Sequence, residues 1–288
     1  MSPSLQITAE HENQATLKMS EQHSGYHDYR MAVPTAFEQV FSHFYFAENR
    51  SARSITKTLL PSYQTILIFN FGTKISLQSA QNMQISMDKC IVLGPIKRAF
   101  DYSMPTGAEM LVVNFKDDAF YRFFGNASIA EHLPIDPDGL LQQDCFIGLW
   151  KTLDTLTDNN ERITHILRFC EPYLQHRNKI AEQLASFDSP LQSPIKAVST
   201  MNNQTERNTQ LNYKKHFGYT AKEFNRYSRF LKAVRMIPEL LKRNSKPDWF
   251  ELINACGYYD QSQLIRDFKH YTNLSPTRYL KFQRDICG

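Results

Sequence analysis

GYYDQSQLIRDFKHYTNLSP, from Gly257 to Pro276, is the most strongly patterned stretch of the 288-residue sequence. Gly257 reads as a helix stop, because glycine adopts the left-handed backbone of a C-terminal cap without steric cost. Asp260 is a good N-cap, and Gln263 three residues later completes a capping-box pattern. Leu264, Phe268 and Tyr271 follow at i, i+4 and i+7, which is one apolar face of a helix. Ser262, Gln263, Arg266, Lys269 and His270 fall largely on the other side. Trp249 to Cys256 reads as a short helix ahead of the glycine. The whole is a helix, a tight turn and a second helix that presses a ridge inward and offers Gln, Ser and Arg outward. Those residue types match base edges: arginine pairs with guanine, glutamine with adenine, and serine with either. In a helix-turn-helix the second helix enters the major groove by its N-terminal end.

The pattern occurs twice. YKKHFGYTAKEF (Tyr213 to Phe224) aligns with FKHYTNLSPTRY (Phe268 to Tyr279) at an offset of 55 residues. Gly218 meets Asn273, and both types suit a left-handed C-cap. Thr220 meets Ser275, and both are N-caps. Two helix-stop-helix units in tandem are therefore predicted. Charge is segregated in the same place: residues 190–288 hold 17 Lys+Arg and 8 Asp+Glu, a balance of +9, whereas residues 1–189 carry −5. A basic final third is either the electrostatic footprint of a polyanion binder or a solvated surface with no partner; together with the repeated helix-turn-helix pattern it makes double-stranded DNA the expected partner.

ACGYYDQSQLIRDFK followed by LSPxxY, starting at Ala255, resembles the second helix-turn-helix of the AraC/XylS family of bacterial transcription regulators. The segment from about Pro194 to Leu280 is similar to that family's DNA-binding domain. There, two units joined by a connecting helix place two recognition helices in successive major grooves on one face of DNA. The resemblance implies base-facing or phosphate-facing positions for Gln261, Ser262, Gln263 and Arg266, and Lys269 joins them on the outer side of the helix. The first unit departs from the family. Thr209 stands where a core leucine is preferred, Leu211 where a DNA-contacting arginine is common, and Asn212 where an apolar residue is usual. Glu206 lies at the groove-entering end, where it would oppose phosphate. Arg207, Asn208, Gln210, Lys214 and Lys215 remain as expected contacts. Pro238 falls in the connecting helix, which it is expected to bend or end. The second unit should then do most of the sequence reading, and the first should add weaker, mainly phosphate contacts.

The front half reads as β-rich. Thr65 to Phe71, Lys89 to Leu93 and Glu109 to Phe115 are short apolar, β-branched and aromatic runs separated by turn residues, as in a small antiparallel barrel or sandwich. Ala119 to Gly125 looks like a short helical turn closed by glycine. Helical periodicity runs from about Leu141 to Leu184, with an interruption at Pro172. The Ser- and Pro-rich stretch Ser186 to Pro194 marks a boundary. In the family such a front half is commonly a cupin-like sensor. The fold class expected is α+β: an N-terminal β-rich cupin-like barrel with helices, and a C-terminal all-α domain with two helix-turn-helix units. The expected division is a flexible arm at 1–25, a β-rich sensor domain at 26–140, a helical segment and linker at 141–189, and the DNA-binding domain at 190–288.

The five cysteines are scattered and never form a C-x-x-C pair, which fits a reduced, cytoplasmic setting and argues against a disulfide framework or zinc ribbon. Cys145 and Cys170 read as ordinary buried residues or as redox sensors. His27, His43 and His132 are isolated, and His165 and His176 stand 11 apart, so no metal and no cofactor are expected. No apolar run approaches the ~18–20 residues of a membrane span, and the first residues lack the basic start and apolar centre of a signal peptide. No nucleophile-elbow, zinc-protease, dinucleotide or P-loop pattern is present, so an enzyme is not expected. The function expected is sequence-specific DNA binding by a transcription regulator, controlled through the front domain by a small-molecule effector or by self-association as a homodimer. The residues that would hold an effector are not assigned. Two alternatives stay open: an interaction protein whose helix-turn-helix repeat has lost DNA binding, and an enzyme, such as an alkyl-transfer repair protein, with an appended DNA-binding module.

Overall fold

The computed structural model describes residues 25–78, 84–129, 134–141, 144–187, 193–243 and 248–287. The flexible arm expected at 1–25 lies almost wholly outside them, as do His132 and most of the Ser- and Pro-rich boundary. Among the described residues nine strands form two antiparallel sheets. The first holds β1 (Tyr26–Met31), β2 (Phe41–Asn49), β9 (Ala108–Phe115), β4 (Ile66–Gly72) and β7 (Cys90–Leu93), in that spatial order. The second holds β3 (Ile55–Leu59), β8 (Phe100–Met104), β5 (Ile75–Gln78) and β6 (Gln84–Met87). The class is α+β as expected, but the two ladders stay separate and do not close into a barrel.

The near-continuous apolar runs of β4 and β9 have a physical cause. A strand covered on both faces loses the alternation of a half-solvated one. One face of the five-stranded sheet packs on the second sheet through Ile66, Ile68, Met110 and Val112 against Ile75, Leu77, Met87 and Met104. The other carries Phe41, Phe44, Leu67, Phe69, Leu111 and Phe115 beneath helices. Those helices are α1 (Ala119–Phe124), closed by Gly125 in the left-handed region, then α2 (Pro137–Leu141), α3 (Cys145–Asp154) and α4 (Asn159–Cys170). A 3₁₀ turn at Glu171–Tyr173 ends the run at Pro172. Arg162 on α4 pairs with Glu109 on β9 and lies over the Phe71 ring, which ties the helical layer to the sheet.

A second aromatic-rich core belongs to the back of the chain. It begins with α5 (Lys179–Ala185), whose Leu184 packs there rather than on the sheets. It continues through α6 (Pro194–Met201), α7 (Glu206–Phe217), α8 (Ala221–Arg243), α9 (Trp249–Cys256), α10 (Gln261–Thr272) and α11 (Pro276–Cys287). The two helix-turn-helix units are α6 with α7 and α9 with α10, and α8 joins them. Pro238 does not end α8, which runs through it. Ile237 and Leu240 on either side are fully buried while Pro238 faces solvent, so packing outweighs the loss of one backbone hydrogen bond. No helix among the described residues is long and apolar enough to cross a membrane.

The two halves interlock. The loop between β3 and β4 sends Tyr63 into the second core. Its ring stacks on Tyr227 at 4.4 Å and meets the edges of Tyr219, Phe224 and Tyr271 at 5.0, 6.0 and 6.5 Å. Tyr227 on α8 donates its hydroxyl hydrogen to the Pro61 carbonyl at 2.6 Å. The Ala99 amide donates to the Tyr271 carbonyl at 3.0 Å, and Lys97 pairs with Glu223 at 2.9 Å. Gly218, the left-handed cap of α7, sits so close to the front half that a Cβ there would stand 2.3 Å from the Ala127 carbonyl oxygen.

Tyr63 is thus a core residue of a unit more than a hundred residues away in sequence. Replacing it with alanine should cost roughly 3–5 kcal/mol of unfolding free energy, as for other buried aromatics. Urea denaturation followed by tryptophan fluorescence measures this, and a loss below about 1 kcal/mol would show that the ring is dispensable.

Candidate nucleic-acid interface

The second unit is built from its caps inward. Asp248 accepts from the amides of Phe250 and Glu251 and starts α9, and Gly257 at φ 74° ends it. Asp260 accepts from the Gln263 amide at 2.7 Å and starts α10. The Gln263 side-chain Oε1 reaches back to accept from the Tyr259 amide at 2.9 Å, one residue earlier than a standard capping box. Asn273 closes α10 in the left-handed region at φ 60°. Leu264, Phe268 and Tyr271 are fully buried, as the periodicity predicts.

The outer side of α10 carries Ser262, Arg266 and Lys269 at i, i+4 and i+7, all exposed, with Gln261 exposed at the N-terminal rim. Gln263 is half-buried, because its side chain is engaged in the turn. Arg266 lies along its own helix, its Nε donating to the Ser262 carbonyl at 3.3 Å.

The first unit repeats this geometry. Thr205 caps α7 by accepting from the Asn208 amide, and Gly218 ends the helix at φ 78°. Thr220 and Glu223 form a reciprocal capping box on α8: the Thr220 amide donates to the carboxylate at 2.7 Å, and the Glu223 amide donates to the hydroxyl at 3.1 Å. Burial opposes the charge on Glu223, but the Thr220 donors and the Lys97 ammonium hold its carboxyl below the usual range. Arg207, Asn208, Gln210, Leu211, Lys214 and Lys215 are exposed. Thr209 is buried at the core position of Leu264, its hydroxyl satisfied by the Thr205 carbonyl. α7 docks on the front half along one flank: buried His216 packs on Tyr121 of α1 at 4.2 Å, and the ammonium of exposed Lys215 reaches 5.5 Å over the same ring.

Sequence reasoning missed one group that sets the pose of α10. Asp267 is 1% exposed on the buried side of that helix. It accepts from Arg226 at 2.6 Å and from Arg229 at 3.2 Å, both on α8. The two guanidinium groups also lie over the rings of Tyr271 and Tyr258. An acid at the i+3 place of the Leu264, Phe268, Tyr271 stripe was the available signal, since a carboxylate in a core stripe needs a cationic partner. Asp267→Asn preserves shape but removes the charge that both arginines face. The arginines reach water, so the expected cost is about 2 kcal/mol rather than that of a fully enclosed pair. A double-mutant cycle of Asp267→Asn with Arg226→Gln should give a coupling above about 1 kcal/mol, and a coupling near zero would remove the clasp from the account.

Among the described residues no group of three or more His, Cys, Asp or Glu side chains is placed to hold a metal ion. Comparison with known proteins gives two family matches. Bacterial regulatory helix-turn-helix proteins, AraC family, match residues 247–281, and a domain of unknown function, DUF6597, matches residues 31–132. No curated protein matches the chain by sequence. Among solved structures, ToxT from Vibrio cholerae aligns at TM-score 0.40 and 9% identity, over 92% of this chain and 100% of that one. ToxT from Vibrio cholerae O395 bound to (E)-4-(8-methylnaphthalen-1-yl)but-3-enoic acid aligns at 0.40 and 10%, over 90% and 100%. The cupin domain of an XRE family transcriptional regulator from Enterobacter cloacae aligns at 0.26 and 4%, over 32% and 96%. Likeness of that size does not extend to function. With the caps, the buried ridge and the outward polar row of α10, the match over α9, α10 and their turn identifies residues 247–281 as a helix-turn-helix of the AraC family of bacterial regulatory proteins.

Proposed function

We propose that this chain is a sequence-specific DNA-binding transcription regulator whose front half controls it through a small ligand or through self-association. The observation that carries the reading is the exposed row Ser262, Arg266 and Lys269 on a doubly capped α10 within an AraC-type helix-turn-helix. Gln261, Ser262, Gln263 and Arg266 read or position bases, and Lys269 holds phosphate. On α7, Arg207, Asn208, Gln210, Lys214 and Lys215 supply the second set of contacts, weighted toward phosphate. The DNA-binding domain runs from about residue 190, with α5 packed against it, and the sensor domain comprises 26–140. A change in the front half reaches the recognition helices through Tyr63 and the Lys97–Glu223 pair, which both bear on α8.

The alternative of an alkyl-transfer enzyme finds no support at Cys90, Cys145, Cys170 or Cys256. Alkyl transfer to a cysteine needs a thiol of lowered pKa beside a cationic partner. Burial works the other way here. It pushes the Cys90 thiol up to about 12 and raises those of Cys145, Cys170 and Cys256.

Four cations of the two recognition helices, Arg207, Lys214, Lys215 and Lys269, are assigned to phosphate, so log K for a duplex should fall with log salt at a slope of roughly −4. Selection of duplexes from a random pool at near-physiological salt should enrich one motif. Arg266→Ala should relax that motif at one position, whereas Arg207→Ala should weaken binding evenly across sequences. A greater loss of discrimination in Arg207→Ala would reverse the assignment of the two units. Absence of any salt-sensitive duplex binding would replace the regulator by an interaction protein.

A further inference from the structure

We infer that Leu211 is a base-reading residue that selects a thymine, by its C5-methyl group, in the half-site addressed by α7. This rests on the reading of the chain as a DNA-binding regulator and names what the first unit reads.

The two recognition helices are in register at the offset of 55 residues. Buried Thr209 and Tyr213 correspond to buried Leu264 and Phe268, and the left-handed caps Gly218 and Asn273 correspond to each other. Leu211 therefore occupies the place of Arg266, in the middle of the row that α10 turns outward. The equivalent row on α7 is Arg207, Leu211 and Lys214, again at i, i+4 and i+7 and all exposed. Leu211 is 60% exposed. His216, about 140° round the helix from Leu211, is buried against Tyr121 of the front half, so this row is the side left open.

A lone exposed leucine is ordinary on a protein surface. Its position is what matters here. Leucine has no donor or acceptor, so at this place it cannot make the bidentate contact to guanine that arginine makes. The one apolar group that a base pair presents in the major groove is the thymine methyl. Asn208, one turn earlier, is exposed and of the type that pairs with adenine N6 and N7. Arg207 and Lys214, flanking Leu211, are placed for phosphate. The first unit is thus matched to an A·T-containing half-site with a thymine under Leu211, and the second to a half-site with a guanine under Arg266. The degenerate look of α7 reflects a different base preference rather than a loss of reading.

The test uses the full chain and the duplex enriched from the random pool. Each thymine is replaced in turn by deoxyuridine, which removes the methyl and keeps the base pairing. One thymine, in a half-site separate from the guanine lost in Arg266→Ala, should show about fourfold weaker binding when demethylated, the effect of one buried methyl group. Leu211→Ala should be indifferent to the same replacement, and Leu211→Arg should reselect guanine at that position. Because the side chain is exposed, both variants should fold as the parent does. If the motif is enriched and depends on Arg266 but every deoxyuridine replacement is neutral, or is felt equally by Leu211→Ala, this inference falls and the regulator reading stands. If no duplex is enriched, both fall.

Discussion

The ring of Tyr63 inside the second core is the contact on which the rest of the molecule depends. The residue stands at φ 57°, a left-handed backbone that an aromatic residue adopts at a cost of order 1–3 kcal/mol. Surrounding structure holds it there. The amides of Ser62 and Tyr63 both donate to the Ile96 carbonyl at 3.0 Å, and the Ile96 amide returns to Gln64 at 3.0 Å. Two loops of the front sandwich are thus locked together, and their joint product is one ring presented to α8 and α10. Without it the clasp formed by Tyr219, Phe224, Tyr227 and Tyr271 would surround a void. The angle between front and back, and the pose of the connecting helix, follow from how that ring is seated.

The two helix-turn-helix units share a frame but differ in how they are held. The second is oriented from below by Asp267, which grips α8 through two arginines, and from above by caps at both ends of α10. The first is held by the front half itself, through His216 on Tyr121 and through a glycine cap with no room for a side chain. A rearrangement of the sandwich would therefore act on α7 along its docked flank, and on α10 through α8 and through the C-terminal turn at Tyr271, which Ala99 and Tyr63 touch. That asymmetry gives the front half a mechanical route to the proposed DNA-reading surface, with no need for a separate linker to transmit the change.

Local patterns were legible and long-range ones were not. The stop at Gly257, the cap at Asp260 and the ridge of Leu264, Phe268 and Tyr271 follow from residues within two turns of each other, the repeat of the unit follows from a 55-residue self-similarity, and the structure reproduces them. The runs of β4, β7 and β9 were legible because strands covered on both faces are apolar throughout. β1, β3, β5, β6 and β8 lie at edges or carry a polar face, so their signal is diluted, and the count of sheets followed only from their pairing. Pro238 does not end α8, because local propensity yields to the burial of Ile237 and Leu240. Tyr63 could not be read at all: it sits in an unremarkable loop, and its partners lie more than 150 residues away. The outward row of α10 was legible from spacing, and so was the place of Leu211, although its meaning needed the observed register of α7 with α10.

Native-state hydrogen exchange across a range of urea tests the interlock most directly. If Tyr63 makes the two halves one cooperative body, the slowest amides of β4 and β9 and those of α8 and α10 will exchange with one opening free energy and one urea dependence. If α8 and α10 open at a distinctly lower free energy and with a shallower slope than the sheet, the back half folds on its own terms, and the front half does not set the geometry of α7 and α10.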